Sequence, residues 1–202
     1  MSEASGSSGV GAKPRGADAD WQNPWPVRGI VQGEPAASPG VDALRAEGFT
    51  TIFDVVPEPD DADEYQDHLN NTAAVRMFND LRVAYVAARF APDWPRYVRR
   101  QGLTLVVREL HVSYESEGWM HERYVGATRV DQRRGKSLIL DQRLVEATTG
   151  RSLARAWVLQ LLVGTEGKVI EFPDLYFELA EAAQGAPVPI VEATRSEWGP
   201  RV

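Results

Sequence analysis

Glu64, His68, Asn70 and Asn71 fall within eight consecutive residues, Glu64-Tyr65-Gln66-Asp67-His68-Leu69-Asn70-Asn71, directly before a long apolar run. A carboxylate can take a proton from water or attack an electrophilic carbon itself. An imidazole and two carboxamides beside it can orient a carbonyl group. If the apolar run is a helix, its unpaired N–H groups and its dipole can stabilise charge developing on a carbonyl oxygen. Asn70, Asn71 or Thr72 is the expected N-cap, so the amides near 70–73 are expected to face that oxygen. The chemistry this pattern suits is nucleophilic attack on an acyl carbon.

The elements that must hold these groups can be read from apolar periodicity. Residues 72–91 place Ala74, Met77, Phe78, Leu81, Ala84, Tyr85 and Ala88 at the spacing of a helix face. Val75, Val83, Val86 and Ala87 extend the apolar surface, so burial on more than one side is expected. Pro92 and Pro95 are expected to end this helix. Before it, TTIFDVV at 50–56 reads as a strand, and 58–67 as an acidic loop. After it, 103–114, 121–131, 136–146 and 152–163 read as strands, separated by ESEG, QRRG and TTGR. Short links between long strands predict antiparallel neighbours. A further strand is expected at 168–172, and a helix at 174–184 begins after Pro173. A short helix is expected at 41–47. The whole predicts an α+β fold, a curved antiparallel sheet wrapped around one long central helix.

Residues 1–40 are rich in Gly, Ser, Ala and Pro and read as a largely disordered or surface-docked arm, with Trp21 and Trp25 as docking aromatics. Residues 41–184 read as the folded domain, and 185–202 as a tail. The net charge of -7 argues against a nucleic-acid surface. The absence of cysteine excludes disulfides, thiolate nucleophiles and thiolate-bound metals. No apolar run suits a signal peptide or a membrane span, so a cytoplasmic protein with no membrane partner is expected.

In this order of elements, the acidic-aromatic-polar-x-His-hydrophobic-Asn segment resembles the hotdog-fold acyl-CoA thioesterases. The likeness is to the 4-hydroxybenzoyl-CoA thioesterase-like branch, whose segment reads D-Y-N-G-H-M-N or D-x-x-G-H-V-N-N. It covers about residues 50–184, including the strand-turn-Pro-helix ending from Gly167 to Leu179. His68, Leu69, Asn70 and Asn71 match directly; Glu64 stands for the catalytic Asp, Gln66 for the amide and Asp67 for the Gly. With one inserted residue, Asp63 takes the acid position instead. The resemblance implies hydrolysis of an acyl-CoA thioester, or of an acyl carrier protein thioester. Glu64, His68 and Asn70 would be catalytic, while Asn71, Thr72 and Asp63 would contact substrate. It implies no cofactor and no metal, coenzyme A entering as part of the substrate. It also implies a homodimer or a dimer of dimers, because a single sheet around one helix leaves its edges open. The replacement of Asp by Glu keeps a second reading alive, a non-catalytic hotdog protein that binds an acyl group or serves in assembly. Hydratase chemistry on the same fold ranks last.

Other groups are read more plainly. Asp80, with Asn79, is expected on a solvated or interface face of the central helix, a second catalytic acid being the alternative. His111 and His121 are expected to face each other across the 115–118 turn, and the three histidines have no metal-ligand spacing. Arg133, Arg134 and Lys136 are expected to form a solvated basic turn, with coenzyme A phosphates as the alternative. Gly135-Lys136-Ser137 lacks the preceding Gly of a phosphate loop, and no G-x-S-x-G elbow is present.

Overall fold

A computed structural model describes residues 27–64 and 67–192. Trp21 and Trp25 of the arm, Tyr65 and Gln66 of the loop, and the tail beyond 192 lie outside the described residues.

In chain order the elements are β1 (Ile30–Val31), α1 (Pro39–Ala46), β2 (Ile52–Val55), a single 3-10 turn (Pro59–Asp61), α2 (Asn71–Arg89), α3 (Asp93–Gln101), β3 (Thr104–Tyr114), β4 (Tyr124–Arg134), β5 (Ser137–Glu146), β6 (Ser152–Val163), β7 (Val169–Ile170), α4 (Asp174–Gln184) and β8 (Ile190–Val191). The sheet runs β1-β2-β4-β5-β6-β3, with β7 beside β6 and β8 parallel to β4. Two of its strands, at 30–31 and 190–191, come from the stretches expected as arm and tail. The curved antiparallel sheet around one central helix is the hotdog fold that the resemblance implies.

The strand order departs from a simple meander. β4, β5 and β6 are joined as hairpins, but β3 pairs with β6, on the far side of the sheet from β4. The segment 115–123 is therefore a crossover past the end of the sheet, although its length suits a hairpin. For the same reason His111 lies opposite Trp157 of β6, not opposite His121. His121 Nδ1 lies 3.0 Å from Asp67.

α2 lies on the concave face because its apolar residues fall on one stripe. Ala73, Ala74, Met77, Phe78, Leu81, Ala84 and Tyr85 are buried. Each large side chain here contributes roughly 1.5–3 kcal/mol by leaving water. Gly126 of β4 lets the helix approach, since a Cβ there would stand 2.4 Å from Leu81 Cδ1. The opposite stripe is not covered, contrary to expectation: Val75 is exposed and Val83 and Val86 are half-buried. β3 forms the sheet edge beside this stripe, and none of its eleven residues is fully buried.

Three further expectations also change. Asp80 is buried and ion-paired to Arg76 at 2.9 Å, one helical turn before it, so its face is not a solvated one. Arg133 is held over the Phe177 ring of α4 and Arg134 is buried, so the basic turn is mostly structural. α3 follows directly where two prolines suggest a stop, with Pro95 in its first turn, where a missing N–H costs little. On the convex face α1 packs with Phe49 over Val125, Ala127 and Val145, closing a second small core. Among the described residues no helix is long and apolar enough to cross a membrane.

Candidate active site

Asn70 determines the chemistry of the α2 amino end. Its extended backbone turns the chain into the helix, and its Oδ1 accepts from Thr72 N–H at 2.9 Å and Ala73 N–H at 3.0 Å. The cap thus occupies two of the amides expected to face a substrate. Asn70 N–H is itself donated to Asp61 O. Asn71 N–H is left as the first-turn amide with no acceptor among the described residues. Asn70 Nδ2 also donates to the Asp60 and Ala62 carbonyls, which ties the acidic loop to the helix start.

The crossover 115–123 supplies the opposite wall. Leu69 N–H donates to Gly118 O at 2.8 Å, and His68 bridges to Trp119, their rings meeting edge to face at 6.0 Å. Gly118 has no room for a side chain, because a Cβ would lie 2.7 Å from Leu153 and 2.9 Å from Leu69. Arg151, just before β6, braces the segment by donating to Ser116 Oγ, to Glu117 O and to both Glu122 oxygens. Burial pushes the Glu122 carboxyl up, but hydrogen bonds from Tyr124, Arg151 and the Trp119 N–H outweigh it and hold it below the usual range. Burial, reinforced by the neighbouring Glu122 carboxylate, pushes the Tyr124 hydroxyl up, so it stays protonated in this network.

Between these walls lies a cleft of about 300 Å³ lined by His68, Leu69, Asn70, Asn71, Ala74, Tyr114, Glu115, Ser116, Glu117, Gly118 and Leu153. Tyr114 OH donates to Asn71 O and fastens the end of β3 to the helix start. Of the residues picked from the sequence, His68, Asn70 and Asn71 line this cleft. Thr72 stands one residue further along the helix, and its hydroxyl donates to Asn70 Oδ1. Glu64 is exposed and Asp63 half-buried on the loop leading in; neither is among the lining residues. Asp63 N–H donates to His68 O, so loop and histidine are linked through the backbone. His68 Nδ1 is buried and has no hydrogen-bond partner among the described residues.

Glu115 and Glu117 are the carboxylates that do line the cleft, although by sequence they belong to a turn. Only the crossover brings them there, and no local signal announces it. Among the described residues no group of acidic or imidazole side chains is placed to hold a metal ion.

Comparison with known proteins agrees with this architecture. The model of the thioesterase-like superfamily matches residues 57–190. No curated protein matches the chain. Among solved structures, a thioesterase from Thermus thermophilus complexed with coenzyme A and Zn is 22% identical, covering 70% of this chain and 99% of that one with a TM-score of 0.57. A thioesterase superfamily protein from Jannaschia is 19% identical, covering 81% and 98% with a TM-score of 0.60. A 1,4-dihydroxy-2-naphthoyl-CoA thioesterase from Synechocystis is 12% identical, covering 64% and 93% with a TM-score of 0.57.

Proposed function

The chain belongs to the thioesterase-like superfamily, and from that premise we propose that it hydrolyses acyl-CoA thioesters at the amino end of α2. The observation that carries this reading is the cleft where the His68 ring, the open Asn71 N–H and carboxylates from the crossover converge.

In this reading the thioester carbonyl oxygen lies toward the Asn71 N–H and the positive end of the helix dipole. A carboxylate takes a proton from water as the water oxygen adds to the acyl carbon. The tetrahedral oxyanion then collapses, the C–S bond breaks, and the thiolate of coenzyme A recovers the proton. Free acid and thiol are the products. Alternatively the carboxylate attacks the acyl carbon directly, and the C–S bond breaks to release the coenzyme A thiolate. Water then hydrolyses the resulting acyl-enzyme anhydride to free acid and carboxylate, its proton passing to the thiolate. His68 polarises the carbonyl, and Asn70 holds the amides and loop in place. Thr72 and Asp63 contact substrate at the rim.

Two sources of the carboxylate are distinguished by different observations. The resemblance of the 64–71 segment favours Glu64, with Asp63 as its neighbour. The lining of the cleft favours Glu115 or Glu117. The partner is expected to be a coenzyme A thioester, with a carrier-protein thioester second. The open β3 edge supports a homodimer, with pairing of dimers as a further step.

A thiol-release assay across a panel of acyl-CoAs tests the proposal. Glu64→Ala, Asp63→Ala, Glu115→Ala and Glu117→Ala are assayed in parallel. Loss of about a hundredfold or more in kcat for one of them names the acid. Failure of the wild type to turn over any thioester removes the hydrolase reading in favour of an acyl-binding or assembly protein.

A further inference from the structure

A second cleft, of about 460 Å³, lies where the uncovered stripe of α2 meets α3 and the start of β3. Its walls are largely apolar, with Val83, Val86, Trp94, Leu103, Leu105 and Val107 among them. Four polar side chains, those of Asn79, Arg82, Thr104 and Gln160, also line it. Arg82 donates to Asn79 Oδ1 at 2.8 Å and, although the neighbouring Asp80 carboxylate attracts it, makes no direct ion pair among the described residues, Asp80 being bound to Arg76 instead. Gln160, 5% exposed on β6, has a carboxamide that makes no side-chain hydrogen bond among the described residues. A half-buried guanidinium thus stands beside a carboxamide that opens onto an otherwise apolar cleft, a setting in which a hydrogen bond or ion pair is little screened by water. Burial pushes the Arg82 guanidinium pKa down from its ordinary value, consistent with a cation that lacks full compensation. Both groups suit an acceptor that arrives from outside the chain.

The two clefts are connected by geometry. Tyr114 at the end of β3 is fastened to Asn71 at the start of α2, while Leu105 and Val107 near the start of β3 flank Val83 and Val86. Strand and helix therefore run side by side in opposite directions. Exposed Val75 and Leu110 lie on the facing surfaces between the two ends. Arg82 is eleven residues beyond Asn71, roughly 16 Å along a helix that rises 1.5 Å per residue. A chain whose carbonyl sits at Asn71 would run along this groove toward the second cleft.

We propose that the acyl group of the substrate ends in a carboxylate, which binds Arg82 and Gln160 in the cleft between α2, α3 and β3. This rests on the thioesterase reading and specifies its substrate class as an extended ω-carboxyacyl thioester. Arg82 supplies a charge-assisted, two-pronged contact of the kind guanidinium groups make with carboxylates. Gln160 donates its amide N–H to the same oxygen pair, and the valines, leucines and Trp94 cover the methylenes.

The test compares pairs of acyl-CoAs of equal length, one ending in a carboxylate and one in a methyl group, on the purified full chain. Expected is a preference of about tenfold or more in kcat/KM for the carboxylate-ended member of the longer pairs. Arg82→Met should remove that preference chiefly through KM, and Arg82→Lys should recover part of it. Equal use of both members by the wild type overturns the proposal, as does a preference that survives in Arg82→Met. Should no thioester be hydrolysed, calorimetric titration of the same pairs decides the matter independently of catalysis. Tighter binding of the carboxylate-ended member, lost in Arg82→Met, sustains the inference though the hydrolase reading fails. Equal binding of the pair, or none, overturns it.

Discussion

Arg76 on α2 grips Asp61 on the loop before it, donating from Nε at 2.8 Å and from Nη2 to the second carboxylate oxygen. The same guanidinium reaches Asp80 one turn along the helix through Nη1. Asp61 is 2% and Asp80 5% exposed. One cation thus pairs with two buried carboxylates and fixes the acidic loop against the helix whose amino end forms the candidate site. Burial pushes the Arg76 pKa down, but the Asp61 and Asp80 carboxylates outweigh it and raise it, so the charge persists at any accessible pH.

Arg76→Leu is therefore expected to destabilise the fold by about 3 kcal/mol or more, because it strands two buried carboxylates. The shift of the urea midpoint at pH 7 measures it. Asp80→Asn in the Arg76→Leu background should recover part of the loss, since it removes one of the stranded charges. No recovery would mean that the cost lies in packing and not in charge.

Asn70→Ala removes the acceptor for two helix amides and the two Nδ2 bonds to the loop. A loss of about 1–2 kcal/mol is expected. Asn70→Asp keeps the acceptor and loses the loop bonds, so its stability should lie between wild type and Asn70→Ala. If both variants keep full stability and full activity, the cap has neither the structural nor the positioning role given to it here.

Much of this region is legible in the sequence, and the limits have physical reasons. The Asn cap and the helix after it follow from local rules: a carboxamide at an extended residue, then a 3.6-residue apolar period. β6 and α4 fall on their expected residues because Gly150 and Pro173 punctuate them. The partner of β3 is not legible. A short link between strands fits a hairpin, and only the packing of 115–123 past the helix start shows that it is a crossover. Asp80 departs from expectation for a related reason. Its burial depends on Arg76, and the second half of that ion cluster comes from Asp61, on another element. The hiding of Glu115 and Glu117 in an apparent turn is the same effect seen at the site itself.

Glu146 gives a pH dependence with a defined sign. Burial pushes its carboxyl up, but the hydroxyl of Thr149 and the backbone N–H groups of Thr148 and Thr149 outweigh it and lower it from 4.5 to about 2. A folded pKa below the unfolded one stabilises the protein above the unfolded value, and the benefit is lost as pH falls toward the folded one. The contribution, of order 2 kcal/mol, should thus be complete above pH 4.5 and fade toward pH 2. Glu146→Gln should be less stable than wild type at pH 7 and converge with it in acid. Parallel stability curves across this range would show that the carboxylate contributes nothing through its charge.

β3 raises the question of what covers an open edge. It is eleven residues long, it pairs with β6 on one side, and Val106 (39% exposed) and Leu110 (36% exposed) lie on its two faces. The edge has no proline, and its two charges, Arg108 and Glu109, form an opposite pair 3.5 Å apart, so it remains a template for another strand, whereas added like charge is the common way to prevent pairing. The proposed homodimer uses this edge on both copies, which a two-fold axis makes self-complementary. Val106→Lys with Leu110→Lys places like charges on both copies at the same seam. Light scattering should then report a monomer at micromolar concentration, where the unmodified chain is expected to be a dimer or larger. Because β3 also flanks the uncovered stripe of α2, turnover should fall with the loss of the dimer. An unmodified chain that is already monomeric and active would remove the edge from the site altogether, leaving one copy to bind the acyl group alone.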